Sequence, residues 1–129
     1  MTDKVSETAR FYTERFGFRP SFESDWYVSL RNDEGPRPFE LGVLRFDHET
    51  VPEGFRERSR GILINLEVDD AKAEFDRLTA SPGLRVALDL RDEEFGQRHF
   101  IIVDPADNLV DVIENIPPSE AFQAQFLED

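Results

Sequence analysis

The chain has 129 residues, and 28 Asp and Glu against 15 Lys and Arg give a formal net charge of −13. That is the length of one domain, and its field repels phosphate backbones and anionic lipid while favouring cationic ligands, so nucleic acid and membrane are not expected partners. A 39% hydrophobic fraction with 12 Phe provides a core, while the lack of Cys removes disulfides, thiolate nucleophiles and thiolate metal sites. No apolar run approaches the ~20 residues of a membrane span and no signal peptide is evident, so the expected compartment is the cytoplasm.

Val5, Ala9, Phe11, Tyr12 and Phe16 recur near helical spacing and Gly17 follows as a stop, so Val5 to Phe16 is predicted as an amphipathic helix. Three strands in a meander follow, Phe18 to Glu23, Trp26 to Arg31 and Phe39 to Phe46, divided by Ser24-Asp25 and by the breakers Asn32 to Pro36. Residues 47–60, around Pro52-Glu53-Gly54, show no sustained periodicity and read as a linker. The pattern then restarts. Ile62, Ile64, Leu66 and Val68 alternate with Leu63, Asn65 and Glu67 as a strand, and Asp69 or Asp70 caps a helix running to about Ala80 with Ala71, Phe75 and Leu78 on one side. Leu84 to Leu90, Arg98 to Val103 and Leu109 to Asn115 are three further strands, the last two joined by the turn Asp104-Pro105-Ala106-Asp107-Asn108. A last short helix, Ser119 to Leu127, follows Pro117-Pro118.

The two halves correspond: Ala9-x-Phe11 matches Ala73-x-Phe75, and Gly17-Phe18-Arg19 matches Gly83-Leu84-Arg85. The expected fold class is α+β, two βαβββ modules at 1–46 and 61–116 with a linker at 47–60 and a helix in 117–129, in a single compact domain. The first module lacks its opening strand, because Met1 to Lys4 leaves no room for one. A homodimer with exchanged elements and a start site placed too late are the two explanations open at this point.

Four segments resemble one family. Thr8 to Phe18 resembles the "FYxxxLGF" signature of the vicinal oxygen chelate superfamily, which includes glyoxalase I, extradiol dioxygenases, fosfomycin-modifying enzymes and bleomycin resistance proteins. Leu66 to Asp70 resembles its "FxVdD" strand end, Phe95-Gly96-Gln97-Arg98 its "WGxR" segment and Asp104 to Asn108 its "DPdGN" turn, with Asp107 in the place of Gly. The resemblance implies two curved half-barrels around a cleft. Its catalytic members hold a divalent metal with His, Gln and Glu side chains, leaving open positions where adjacent substrate oxygens chelate and are polarised. Position by position, the family's second-module His falls on Leu63, its last-strand Glu on Asp111 and its first-module carboxylate on Glu40. The first strand's ligand has no counterpart. Glu40 and Asp111 are thus weak metal candidates, and no catalytic residue is assigned.

Strand parity puts Leu63, Asn65 and Glu67 on one face, with Leu109, Asp111 and Ile113 on one face of the last strand, and leaves Ile64, Leu66, Val110 and Val112 for the core. The cleft candidates are therefore Trp26, Glu40, Leu63, Asn65, Glu67, His99 and Asp111. For Glu40 and Asp111 the alternative is pairing with Arg or contact with solvent; for Trp26 it is a core or interface anchor, and for His99 a surface imidazole. His48 is expected at the surface and Arg98 tied to a carboxylate. The resemblance, with Leu63 in the place of His, thus implies a metal-independent small-molecule binder that sequesters a cationic drug or metabolite, as in bleomycin-type antibiotic resistance, acting as a homodimer without cofactor. The alternative is a divalent-metal lyase or dioxygenase that uses Glu40 and Asp111.

Overall fold

In the computed structural model, which describes residues 1–127, the elements run α1 (Val5–Phe16), β1 (Arg19–Glu23), β2 (Tyr27–Asn32), β3 (Phe39–Leu44), β4 (Leu63–Glu67), α2 (Ala71–Thr79), β5 (Arg85–Glu93), β6 (Gln97–Val103), β7 (Leu109–Asn115) and α3 (Glu120–Gln123). They form an α+β protein with two sheets, one in the order β1-β2-β3 and one in the order β4-β7-β6-β5. The chain divides into two units: residues 1–61 with the turn 104–108, and residues 62–103 with the chain from 109 onward.

In the first unit α1 stops at Gly17, whose φ of 70° is left-handed and open to glycine at little cost. Val5, Ala9 and Tyr12 from the helix meet Phe18, Val28, Leu30 and Val43, and all seven are buried. The Tyr12 hydroxyl donates to Asp104 Oδ2 at 2.7 Å, and burial first, then Asp104, pushes its pKa far above the ordinary phenol value. Asp104 Oδ1 accepts from the backbone N–H of Ala106 and Asn108, so one carboxylate both closes the turn and takes the tyrosine proton donor. Asp107 carries φ of 63° there, a conformation Asp tolerates better than most residues.

The second unit repeats the plan with one more strand. Asp70 caps α2 by accepting from Ala73 N at 2.9 Å. The helix sets Phe75 edge-on against Phe100, with ring centroids 5.1 Å apart, over buried Ile102, Val110 and Val112. β4 adds in parallel to β7, pairing Leu63 with Leu109, Asn65 with Asp111 and Glu67 with Ile113.

Three expectations need correction. The opening strand of the first unit is not wholly absent: Thr2 makes one parallel bridge to Arg45, its N–H donating to Leu44 O and its carbonyl accepting from Phe46 N. That bridge repeats in miniature the parallel pairing of β4 with β7. β5 runs to Glu93 rather than stopping at Leu90, because the hairpin continues through Arg91 and Asp92, which pair with His99 and Arg98. The closing helix spans four residues, and 124–127 are not helical.

Candidate functional site

The polar side of the second sheet follows from strand alternation. Arg91 and Glu93 of β5, His99 of β6 and Asp111 of β7 share one face, whereas Phe100, Ile102, Val110 and Val112 point to the opposite, helix-covered one. His99 is 6% exposed, with Nδ1 2.8 Å from Asp111 Oδ1 and Nε2 3.2 Å from Glu93 Oε1. Glu93 also pairs with Arg91. Each ring nitrogen thus faces a carboxylate, and Asp111, His99, Glu93 and Arg91 form one polar chain across three strands. The His99 hydrogen bond first, and Arg91 second, hold the Glu93 carboxyl below the usual carboxylate range.

The structure brings His99 and Asp111 together, and His99 is not a surface imidazole. Leu63, Asn65 and Glu67 occupy the same sheet face and are exposed. Glu93 and Arg91 were absent from the sequence candidates; their signal was the hairpin that carries residue 93 opposite residue 97. Arg98 forms a fork on Asp92, at 2.7 and 3.0 Å, on the other face.

The remaining two candidates lie in the first unit. Glu40 is exposed on β3, opposite Arg31, which Asp33 already engages. Glu40, Gly42 and Leu44 share their sheet face with Tyr27 and, from β1, Phe22. Tyr27 lies close over Gly42, where an added Cβ would meet its hydroxyl at 3.1 Å. Its ring is 6.0 Å from that of Phe22 and 5.8 Å from that of Trp26. His48 is half-buried, its ring stacked on Trp26 at 3.7 Å and 5°, so it is not a free surface residue.

The donor chemistry does not fit the divalent metal that the resemblance implies. Leu63 offers no donor atom, and Asp111 Oδ1 is hydrogen-bonded to His99 Nδ1. Among the described residues no group of three or more His, Asp or Glu is placed to hold a metal ion.

A unit of one helix on a β-sheet thus occurs twice in the chain, each with a parallel pairing at one edge. The chain belongs to the Glyoxalase/Bleomycin resistance protein/Dioxygenase superfamily, whose pattern matches residues 1–112. Solved structures agree in fold. A glyoxalase/bleomycin resistance protein/dioxygenase from Nocardioides has a TM-score of 0.69 at 18% identity, over 89% of this chain and 78% of that one. TnmS3, an antibiotic binding protein from Streptomyces sp. CB03234, has a TM-score of 0.62 at 18% identity over 88% of each chain. The bleomycin resistance determinant encoded on transposon Tn5 has a TM-score of 0.57 at 21% identity, over 84% of this chain and 86% of that one. Among curated proteins none matches the sequence.

Proposed function

We propose that this protein binds a cationic small organic molecule without a metal ion, and that it works as a homodimer that sequesters its ligand. The observation that carries the reading is the hydrogen bond of Asp111 to His99 on a sheet face where Leu63 cannot ligate, which favours a polar network over a Lewis-acid centre. Support for a cation comes from the net charge of −13 and from the face that joins Glu40 to the rings of Phe22 and Tyr27. Carboxylates and ring faces both attract a positive group. TnmS3 and the Tn5 determinant, named for antibiotic binding and bleomycin resistance, make a drug a sensible first probe. β1 is a sheet edge with all five residues exposed, which suits pairing with a second copy.

Two titrations test this. Ni, Zn, Fe and Mn should leave the melting temperature unchanged, and bleomycin should bind saturably, more weakly as salt rises. Glu40→Gln should weaken it about threefold. Tight stoichiometric metal uptake would overturn the metal-independent reading in favour of a lyase or dioxygenase, and no binding at micromolar bleomycin would remove that drug as the ligand.

A further inference from the structure

The second unit carries a recess of about 490 Å³ that the polar network does not use. It is built by a close backbone approach. Gly96, at φ of 102°, sits where a Cβ would lie 2.9 Å from Ile116 O and 3.3 Å from Pro118, so only glycine lets residues 116–118 lie on the β5–β6 turn. Gly96 N donates to Glu93 O within the turn, and two backbone bonds hold the segment against it: Ile116 N to Gly96 O and Ser119 N to Glu94 O. α3 then places Phe122 with its ring 6.4 Å from that of Phe95, which also stands edge-on to His99.

The lining has a distinct chemistry. Phe95, Phe122 and Phe126 supply ring surface; Gln97 and Asn115, register partners across β6 and β7, supply carboxamides, and Gln125 supplies a third. Every described side chain around the recess is uncharged, in a protein of which 33% is charged. Among the described lining residues none offers a counter-ion to a charged ligand that gives up hydration there. Carboxamides both donate and accept, and they match amide-like groups rather than ions. The volume is within the ~300–1,000 Å³ typical of small-molecule sites.

We infer that this recess of the second unit is a site that takes a neutral planar arene bearing an amide-like group, its ring against the phenylalanines and its amide on Gln97, Asn115 and Gln125. The inference is independent of the cationic reading of the first unit. Naphthalene-2-carboxamide is the probe, with naphthalene-2-carboxylate and naphthalen-2-ylmethylammonium as its anionic and cationic counterparts, titrated into ¹⁵N-labelled protein. The carboxamide should bind saturably, shift the side-chain NH₂ signals of Gln97, Asn115 and Gln125, and outcompete each ion by ~tenfold or more. Phe122→Ala should weaken it by ~tenfold. Gln125→Ala, which alters a residue outside every regular element, should weaken it while leaving the spectrum otherwise intact. Equal binding of the ions, shifts confined to residues outside the recess, or recess signals that change with protein concentration alone would overturn the proposal, the last by assigning the recess to a second copy of the chain. Bleomycin binding is read separately, so failure of one site leaves the other standing.

Discussion

Removing the His99 ring leaves the Asp111 carboxylate, itself 6% exposed, without the donor 2.8 Å away. Leaving a buried carboxylate without its hydrogen-bond donor costs about 3 kcal/mol, so His99→Leu should lower the unfolding free energy in urea by about that amount with the slope unchanged. Adding Asp111→Leu should recover most of the loss, since both ends of the contact are then apolar. A single variant within ~0.5 kcal/mol of the parent would show that Asp111 readily finds another donor. The same substitution removes the largest cause of the lowered Glu93 pKa, so the Glu93 midpoint should rise toward its ordinary 4.5. With the native value below the unfolded one, this carboxylate stabilises the fold fully above pH 4.5, and the contribution fades as pH falls through the native value. NMR titration of the Glu93 carboxyl carbon checks this, and a midpoint unmoved in His99→Leu would assign the shift to Arg91.

At the level of elements, the β5–β6 hairpin depends on one glycine. Gly96→Ala combines a positive φ with a Cβ 2.9 Å from Ile116 O, and strain of that kind costs about 1–3 kcal/mol. The loss should be local: hydrogen exchange at Ile116 N and Ser119 N should quicken, while the Ala73 amide held by the Asp70 cap should keep its rate relative to global opening. Uniform acceleration across all three would show that the segment 116–119 is not a separate unit of stability. Both long helices and most strands were legible because their burial follows the periods the sequence carries. β5 was read three residues short because Arg91-Asp92-Glu93-Glu94 looks like a solvated loop, whereas its charges alternate across a hairpin end. Parity placed His99 and Asp111, but Glu93 reaches them only through that unread extension. The recess was hidden for a related reason. Phe122 and Phe126 belong to a segment read as a helix from Ser119 to Leu127, and the helix stops at Gln123. No local signal in the sequence reports the Gly96 to Ile116 approach, since it joins residues twenty apart.

For the whole molecule the decisive quantity is charge. A net −13 per chain acts with opposite sign on the two associations proposed. A cationic ligand is drawn in by that field, so screening weakens its binding; a second copy of the chain is repelled by it, so screening strengthens self-association. The attraction between copies must then come from contact surface. Phe22 and Phe39 are 53% and 45% exposed, and β1 offers backbone groups along an unpaired edge. Sedimentation at ~0.1 M salt, where the Debye length is ~10 Å, should give a mass near twice 14.9 kDa at micromolar chain. At ~1 M salt, where it is ~3 Å, the dissociation constant should fall rather than rise. The melting temperature should climb with protein concentration, as mass action requires when association stabilises the fold. A mass of 14.9 kDa at every concentration and salt would refute the dimer. A dimer that loosens as salt rises would place complementary charges, rather than apolar surface and strand edge, at its interface.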